Sequence, residues 1–354
     1  MGMTSKERVL AALRFERTDR VPIYDSFWDE FVANWRQKKG LPPSADITDY
    51  YGIDVDIVVP DETPFPSRRE IILENRLQTI ARDGWGRVTR ARRDAKFEEV
   101  LQVALPEKRM MEGLVFEPAE LEARYPAVEQ VKALAEKRCV FIKTGGPYLR
   151  TSNLRGTTQW LVDLADDETF ARELAMRVTE HMTAVGLEAI RRYQLYDTGI
   201  WFFDDMGSNQ GPMFSPRTFE HVFLPCYRVM CQKYAAAGVA HILLHCDGNI
   251  EPILDMLIDA GIQGIHPVEP KAGMDAVKLR KRYGKSLALL GGLDNAGVLP
   301  RGDKDELRSH VMHVLEAGKD GGLVIGAHSI GPDVAVETYD YLHDLVLELG
   351  KSTL

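Results

Sequence analysis

The stretch 240–249 reads AHILLHCDGN. An apolar run of strand length halts at His245-Cys246-Asp247, and Gly248-Asn249 turns the chain toward a helix beginning near Glu251-Pro252. Seven further runs behave the same way: 21–24, 56–59, 139–143, 200–203, 263–265, 286–290 and 323–325. They stop, in order, at Asp25, Asp61, Gly145-Gly146, Asp204-Asp205, His266 with Glu269, Gly291-Gly292 with Asp294, and His328. Short buried strands alternating with helical stretches predict a parallel α/β sheet. Eight of them predict a closed (β/α)8 TIM barrel, whose chemistry sits where the strands end. The residues at the strand ends are therefore a draft active site.

The segments between the runs support this reading. Thr4 and Glu7 stand at capping-box spacing ahead of the apolar run of a first helix. Ser215-Pro216 opens a helix over 217–237, and a final helix is expected over 334–349. The rhythm breaks once, after the second run. Residues 69–93 alternate as hairpin strands do, with Asp83-Gly84 as a turn, so 61–118 is expected to be an insertion in one domain spanning 1–354.

Composition narrows the function classes. The chain has 354 residues, 45% hydrophobic and 27% charged, as expected of a globular enzyme-sized protein. A net charge of −9 argues against nucleic acid as a partner, because phosphate binding needs a basic face. No apolar stretch approaches the roughly 20 residues that cross a membrane, and the charged N-terminal run lacks a signal-peptide core, so a cytoplasmic location is expected. Cys139, Cys226, Cys231 and Cys246 form no disulfide-like framework.

Three groups could carry chemistry. His245, Cys246 and Asp247 lie at one strand end, where His328 or Glu269 could converge to complete a tetrahedral zinc site. Neighbouring strand residues face opposite ways, so His245 and Asp247 can share a face that Cys246 cannot. The alternative is that Asp247-Gly248-Asn249 is only a turn and helix cap. Asp61, Asp204 and Asp205 form an acidic group suited to proton transfer, metal binding or hydrogen bonding to a substrate, although Asp204 could equally be a cap. His328, in GAHSIGPD, is a catalytic candidate by its strand-end position. The Gly-Gly pairs lack nucleotide-loop spacing and read as clearance for a ligand or for packing.

SKERVLAALRFERTDRVPIY, GIDVDIVVPDET, GGPYLRTSNLRG, GGLDNAGVL and GAHSIGPDVAVETYDYLHDLV, in this order, resemble the successive blocks of the uroporphyrinogen decarboxylase superfamily. The resemblance implies a single barrel, often dimeric, and one of two activities. One branch decarboxylates uroporphyrinogen without a cofactor. The other comprises zinc-dependent methyltransferases that move methyl groups between a corrinoid and a small substrate. By this resemblance Asp61 stands at the pyrrole-binding aspartate and His328 at the late active-site histidine.

The first strand departs from the decarboxylases. Their Arg-Gln-Ala-Gly-Arg block, which holds substrate carboxylates, is replaced here by Tyr24-Asp25-Ser26-Phe27-Trp28. Asn153 stands nearest their missing tyrosine. The methyltransferase pattern His-x-Cys-Gly is matched by His245 and Gly248, with Asp247 in place of the cysteine and His328 in place of a late one. A His/Asp/His or His/Asp/Glu set is a harder zinc site than His/Cys/Cys.

The expectation is therefore a methyltransferase working with a corrinoid on a partner protein. Zinc would be held by His245, Asp247 and either Glu269 or His328. Asp61, His328 and Asp205 would handle protons, while Tyr24, Phe27, Trp28, Asn153 and Asp204 would contact a small-molecule substrate. The alternatives are a cofactor-free decarboxylase of a carboxylated substrate and a non-enzymatic tetrapyrrole or corrinoid binding protein. A homodimer is implied by the resemblance.

Overall fold

The computed structural model describes residues 2–351. In chain order the strands are β1 (Val55–Val58), β2 (Glu70–Glu74), β3 (Gln78–Arg82), β4 (Val88–Arg92), β5 (Glu99–Gln102), β6 (Cys139–Gly145) and β7 (Ile200–Phe203). They continue as β8 (Gly207–Ser208), β9 (Gly211–Pro212), β10 (Ile242–His245), β11 (Gly264–Val268), β12 (Ala288–Leu293) and β13 (Leu323–Ala327). Seven of them form one parallel sheet in the order β1-β6-β7-β10-β11-β12-β13.

Side-chain parity shows how this sheet curls. Val55, Cys139, Phe141, Trp201, Leu243, Ala288, Leu290 and Val324 meet in a single buried cluster, although they come from strands at both edges of the sheet and from between them. Val9, Leu10 and Leu13 join that cluster, so the helix Ser5–Leu13 plugs the amino end of the interior. Its start carries the expected capping box between Thr4 and Glu7. The residues of opposite parity, among them Val140, Ile142, Phe202, Leu244, Leu289 and Ile325, pack outward into the larger core shared with the helices. Burial on both faces explains why these strands read as unbroken apolar runs.

The first expected strand is not a strand. Residues 21–24 make a single ladder bridge, Ile23 to Ile325. Tyr24 N–H donates to the Ile325 carbonyl and Ile325 N–H to that of Pro22, at 3.0 and 2.9 Å. On the other side Asp54 N–H donates to the Ile23 carbonyl at 2.9 Å. The return bond is made by a side chain: Ile23 N–H donates to Asp54 Oδ2 at 2.8 Å. Asp54 is fully buried between Arg8 and Arg20, which takes its carboxylate out of the strand pattern. Pro22, lacking an N–H, cannot extend the ladder. Gly326 is required where this segment docks, because a Cβ there would lie 1.7 Å from the Tyr24 carbonyl oxygen. Asp25 secures the same contact: its carboxylate accepts from Ala327 N–H at 2.7 Å and from the Tyr339 hydroxyl at 2.8 Å.

Between β1 and β6, strands β2 to β5 form a separate antiparallel sheet in sequence order. Asp83 lies at the β3–β4 hairpin, its Oδ1 accepting from the N–H groups of Trp85 and Arg87. Phe65 and Trp85 fasten this region to Leu154, Val178 and Met182. Among the described residues no helix is long and apolar enough to cross a membrane.

Candidate functional site

The parity that directs Phe141, Trp201 and Leu243 inward also directs Lys143, Phe203, Asp205, His245 and Asp247 inward, two and four residues further on. His266 pairs with His245 in the β10–β11 register, and His328 follows β13. Five elements thus deliver polar side chains to the carboxyl end of the curled sheet.

Three ligand-type atoms converge there. Asp247 Oδ1 lies 3.3 Å from His245 Nε2 and 3.2 Å from His328 Nε2. One atom each from His245, Asp247 and His328 fall within 4.8 Å of one another. Asp247 Oδ1 is buried and accepts no hydrogen bond among the described residues, despite the two imidazoles beside it. Donor atoms gathered this closely could hold a cation, and two imidazoles with a carboxylate are zinc-type donors.

The surroundings hold those donors in place. His245 Nδ1 lies 2.8 Å from His266 Nδ1, so one ring donates to the other. Burial is the main cause holding both imidazoles well below the usual histidine range, hence neutral and able to ligate. Glu269 Oε1 lies 3.6 Å from His328 Nδ1, while Oε2 accepts Gly248 N–H at 2.7 Å. Glu269, expected as a ligand, thus sits behind His328 and the turn instead of among the converging atoms. Asp205 Oδ1 accepts Asp247 N–H at 3.2 Å and lies 3.7 Å from His245 Nε2. Burial, then the Asp247 charge, push Asp205 up to about 6, within reach of proton exchange near neutrality.

Other expected residues are placed elsewhere. Asp204 has 0% exposure, and it caps the helix Pro147–Arg155. Its oxygens accept from Leu149 N–H at 2.6 Å, Tyr148 N–H at 3.1 Å and the Tyr227 hydroxyl at 2.8 Å, leaving it no access to a substrate. Asp61 accepts from Thr63 and from Arg69, the latter at 2.5 Å, and these bonds lower its pKa in spite of burial. It is locked within its own loop. Asn153 accepts from Arg87 at 3.2 Å, on the side of the antiparallel sheet.

Phe27 stacks among Phe31, Tyr51 and Tyr339, beneath the helices. Tyr24 packs against Trp201 and His266 inside the sheet. Trp28 lies at the rim, 41% exposed, and donates to Ser329 beside His328. Cys246 points away, as alternation requires, its sulfur accepting Met206 N–H.

Glu62 and Lys143 were not among the residues singled out by the sequence, and His266 was marked only as a strand end without a role. Glu62, one residue past the expected acid, is the one that turns inward. It accepts Gly145 N–H and pairs with Arg150, each at 2.5 Å. Gly145 and Gly146 provide clearance for packing: side chains there would run into Arg150 and Asp204. The signal for Lys143 was the two-residue period of 139–143 itself, which places Lys143 on the same face as Phe141.

A solved structure of another protein shares the architecture. A methyltransferase from Methanosarcina mazei superposes with a TM-score of 0.68 at 21% identity, over 98% of this chain and 99% of that one. A B12-independent methionine synthase from Shewanella sp. W3-18-1 gives a TM-score of 0.45 at 12% identity, over 86% of this chain and 83% of the other. No curated protein sequence matches the chain. The family model for uroporphyrinogen decarboxylase (URO-D) matches residues 100–349, which takes in Lys143, both strand-end histidines and the β13 loop with His328, and the chain belongs to that family.

Proposed function

We propose that this protein is a methyltransferase of its family. It would act on a small methylated substrate together with a corrinoid-bearing partner protein, and use a zinc ion held by His245, Asp247 and His328. The observation that carries this reading is Asp247 Oδ1, buried, without a hydrogen bond among the described residues, and flanked by two imidazole Nε2 atoms at 3.3 and 3.2 Å. Bound there, zinc would supply a Lewis acid for the oxygen or sulfur that carries the methyl group. His266 would orient His245 through the Nδ1 contact, with the Glu269 carboxylate 3.6 Å behind His328. Asp205, at the rim of the cluster, would exchange the proton that the departing group requires.

In this reading the whole chain, 1–354, is one (β/α)8 barrel closed through residues 21–24, and the antiparallel sheet of β2 to β5 belongs to an insertion after the second barrel strand. The decarboxylase alternative is less well served. Arg150, the guanidinium nearest the Gly145 strand end, is committed to Glu62 and is not free for a polyanion.

Elemental analysis of protein purified without an affinity metal tests the proposal, comparing wild type with Asp247→Ala. About one zinc per chain, lost in the variant, is expected. Methyl transfer to cob(I)alamin from a panel of methyl donors should then depend on that zinc. A wild type that takes up no zinc would overturn the reading and return the chain to the cofactor-free branch.

A further inference from the structure

Lys143 is the polar group in the interior that the metal site does not use. Its register partner is Trp201, which in turn pairs with Leu243, so its stem rises from an apolar layer. Its Nζ lies 4.3 Å from the Phe203 ring centroid, on the side toward the mouth of the sheet. Among the described residues this ammonium has no hydrogen bond and no ion pair, and it rests against the Phe203 ring.

That is unusual for a mostly buried cation with acids nearby. Asp205, Glu62 and Asp247 all act on it electrostatically, as does Arg150. None of these acids bonds to it: Glu62 is taken by Arg150 and Gly145 N–H, Asp205 Oδ1 accepts Asp247 N–H, and Asp247 Oδ1 faces the imidazoles. Three N–H donors in a poorly solvated position call for an acceptor. A rigid apolar layer fixes the stem, so the acceptor has to come from the mouth.

We propose that Lys143 is the substrate-binding cation of the mouth, and that the substrate is a small molecule bearing a single carboxylate which Nζ holds. Charge selects this class. One free ammonium balances one negative charge, whereas a phosphate dianion would add repulsion from Asp205 and Asp247. A neutral ligand would leave the ammonium short of a charged acceptor, and charge-assisted bonds are about twice as strong as neutral ones. Burial lowers the lysine to about 8, so at neutral pH the amine still carries the charge that attracts a carboxylate. The identity of the methyl donor rests on the proposed function, but carboxylate binding at Lys143 does not.

The test is acylation of the zinc-loaded full-length protein by acetic anhydride, followed lysine by lysine by mass spectrometry. Benzoate and acetate serve as probes, with benzamide and acetamide as neutral isosteres. With a carboxylate at about ten times its Kd, acylation of Lys143 should slow roughly tenfold, since only the unliganded fraction reacts. Other lysines should be unaffected, and the amides should not protect. Calorimetric binding should survive Lys143→Arg and vanish in Lys143→Met. Equal acylation with and without carboxylate, equal protection by the amides, or a Lys143 that never reacts would each overturn the assignment. Zinc is measured in the same samples. Protection without zinc would sink the metal reading alone, and zinc without protection would sink the lysine assignment alone.

Discussion

Replacing Lys143 by methionine should make the metal-free protein more stable at neutral pH, which runs against the usual effect of changing an interior residue. The amine is held near 8 in the fold against 10.5 for a free lysine, chiefly by burial. The folded state therefore gives up the proton first, and between these values the unfolded chain binds more protons. Stability of the wild type must then rise with pH across this window. The span is 10.5 minus 8, and at about 1.4 kcal/mol per pH unit the charged amine costs up to about 3 kcal/mol at pH 7. Methionine keeps the unbranched stem and removes the charge. Urea unfolding in the presence of a chelator, at intervals from pH 7 to pH 10, should show the variant ahead by about 2–3 kcal/mol at pH 7, with the gap closing as the wild type deprotonates. A gap that stays constant with pH, or a variant less stable at pH 7, would refute the argument that the ammonium stands unpaired.

Three other outcomes follow from the same geometry. His266→Leu should fold but bind zinc about 10–100-fold more weakly in a competitive chelator titration, because the ring that orients His245 is gone. Arg150→Met strands the buried Glu62 carboxylate and should cost about 3 kcal/mol in denaturant unfolding at pH 8. Burial already raises the Glu62 pKa, so that loss should shrink toward pH 5 as the carboxyl takes up a proton. Gly326→Ala forces a methyl group to within 1.7 Å of the Tyr24 carbonyl, which must displace residues 21–24; the thermal midpoint should fall sharply, by the equivalent of at least about 3 kcal/mol.

The parallel sheet was legible because burial on both faces leaves runs with no polar interruption, and a run of this kind in α/β context has few other readings. Residues 21–24 show the limit. Their composition is that of a strand, but the group that pairs with Ile23 N–H is the side chain of Asp54, which no local pattern announces. At the site, alternation sorted His245, Cys246 and Asp247 correctly, since that inference needs only neighbouring residues. It could not separate Asp61 from Glu62, because the chain has already left β1 and the two-residue period no longer applies. Asp204 was ambiguous for another reason. A carboxylate at a strand end can face the mouth or cap the next helix, and only the approach of Pro147–Arg155 selects the cap. Lys143 was readable from its period and missed because it closes an apolar run, where the residues beyond drew attention.

The two neutral histidines behind the cluster connect these observations. A single hydrogen lies between His245 Nδ1 and His266 Nδ1, so the pair has two arrangements. If His266 donates, His245 carries its proton on Nε2 and can offer it to Asp247 Oδ1, 3.3 Å away, and the cluster needs no ion. If His245 donates, its Nε2 presents a lone pair toward Asp247 and His328, and the proton of His266 moves to its own Nε2. That atom is buried and without a hydrogen bond among the described residues in either arrangement, so the difference between the two lies at His245 Nε2, whose lone pair in the second faces Asp247 Oδ1. A ligand that takes the His245 lone pair would favour the second arrangement if it also relieved Asp247 Oδ1 of its exposure to a bare imidazole nitrogen. A cation does both at once. Under the proposed function, a metal ion at this point would select the second tautomer, and His266 is the residue on which that selection would turn.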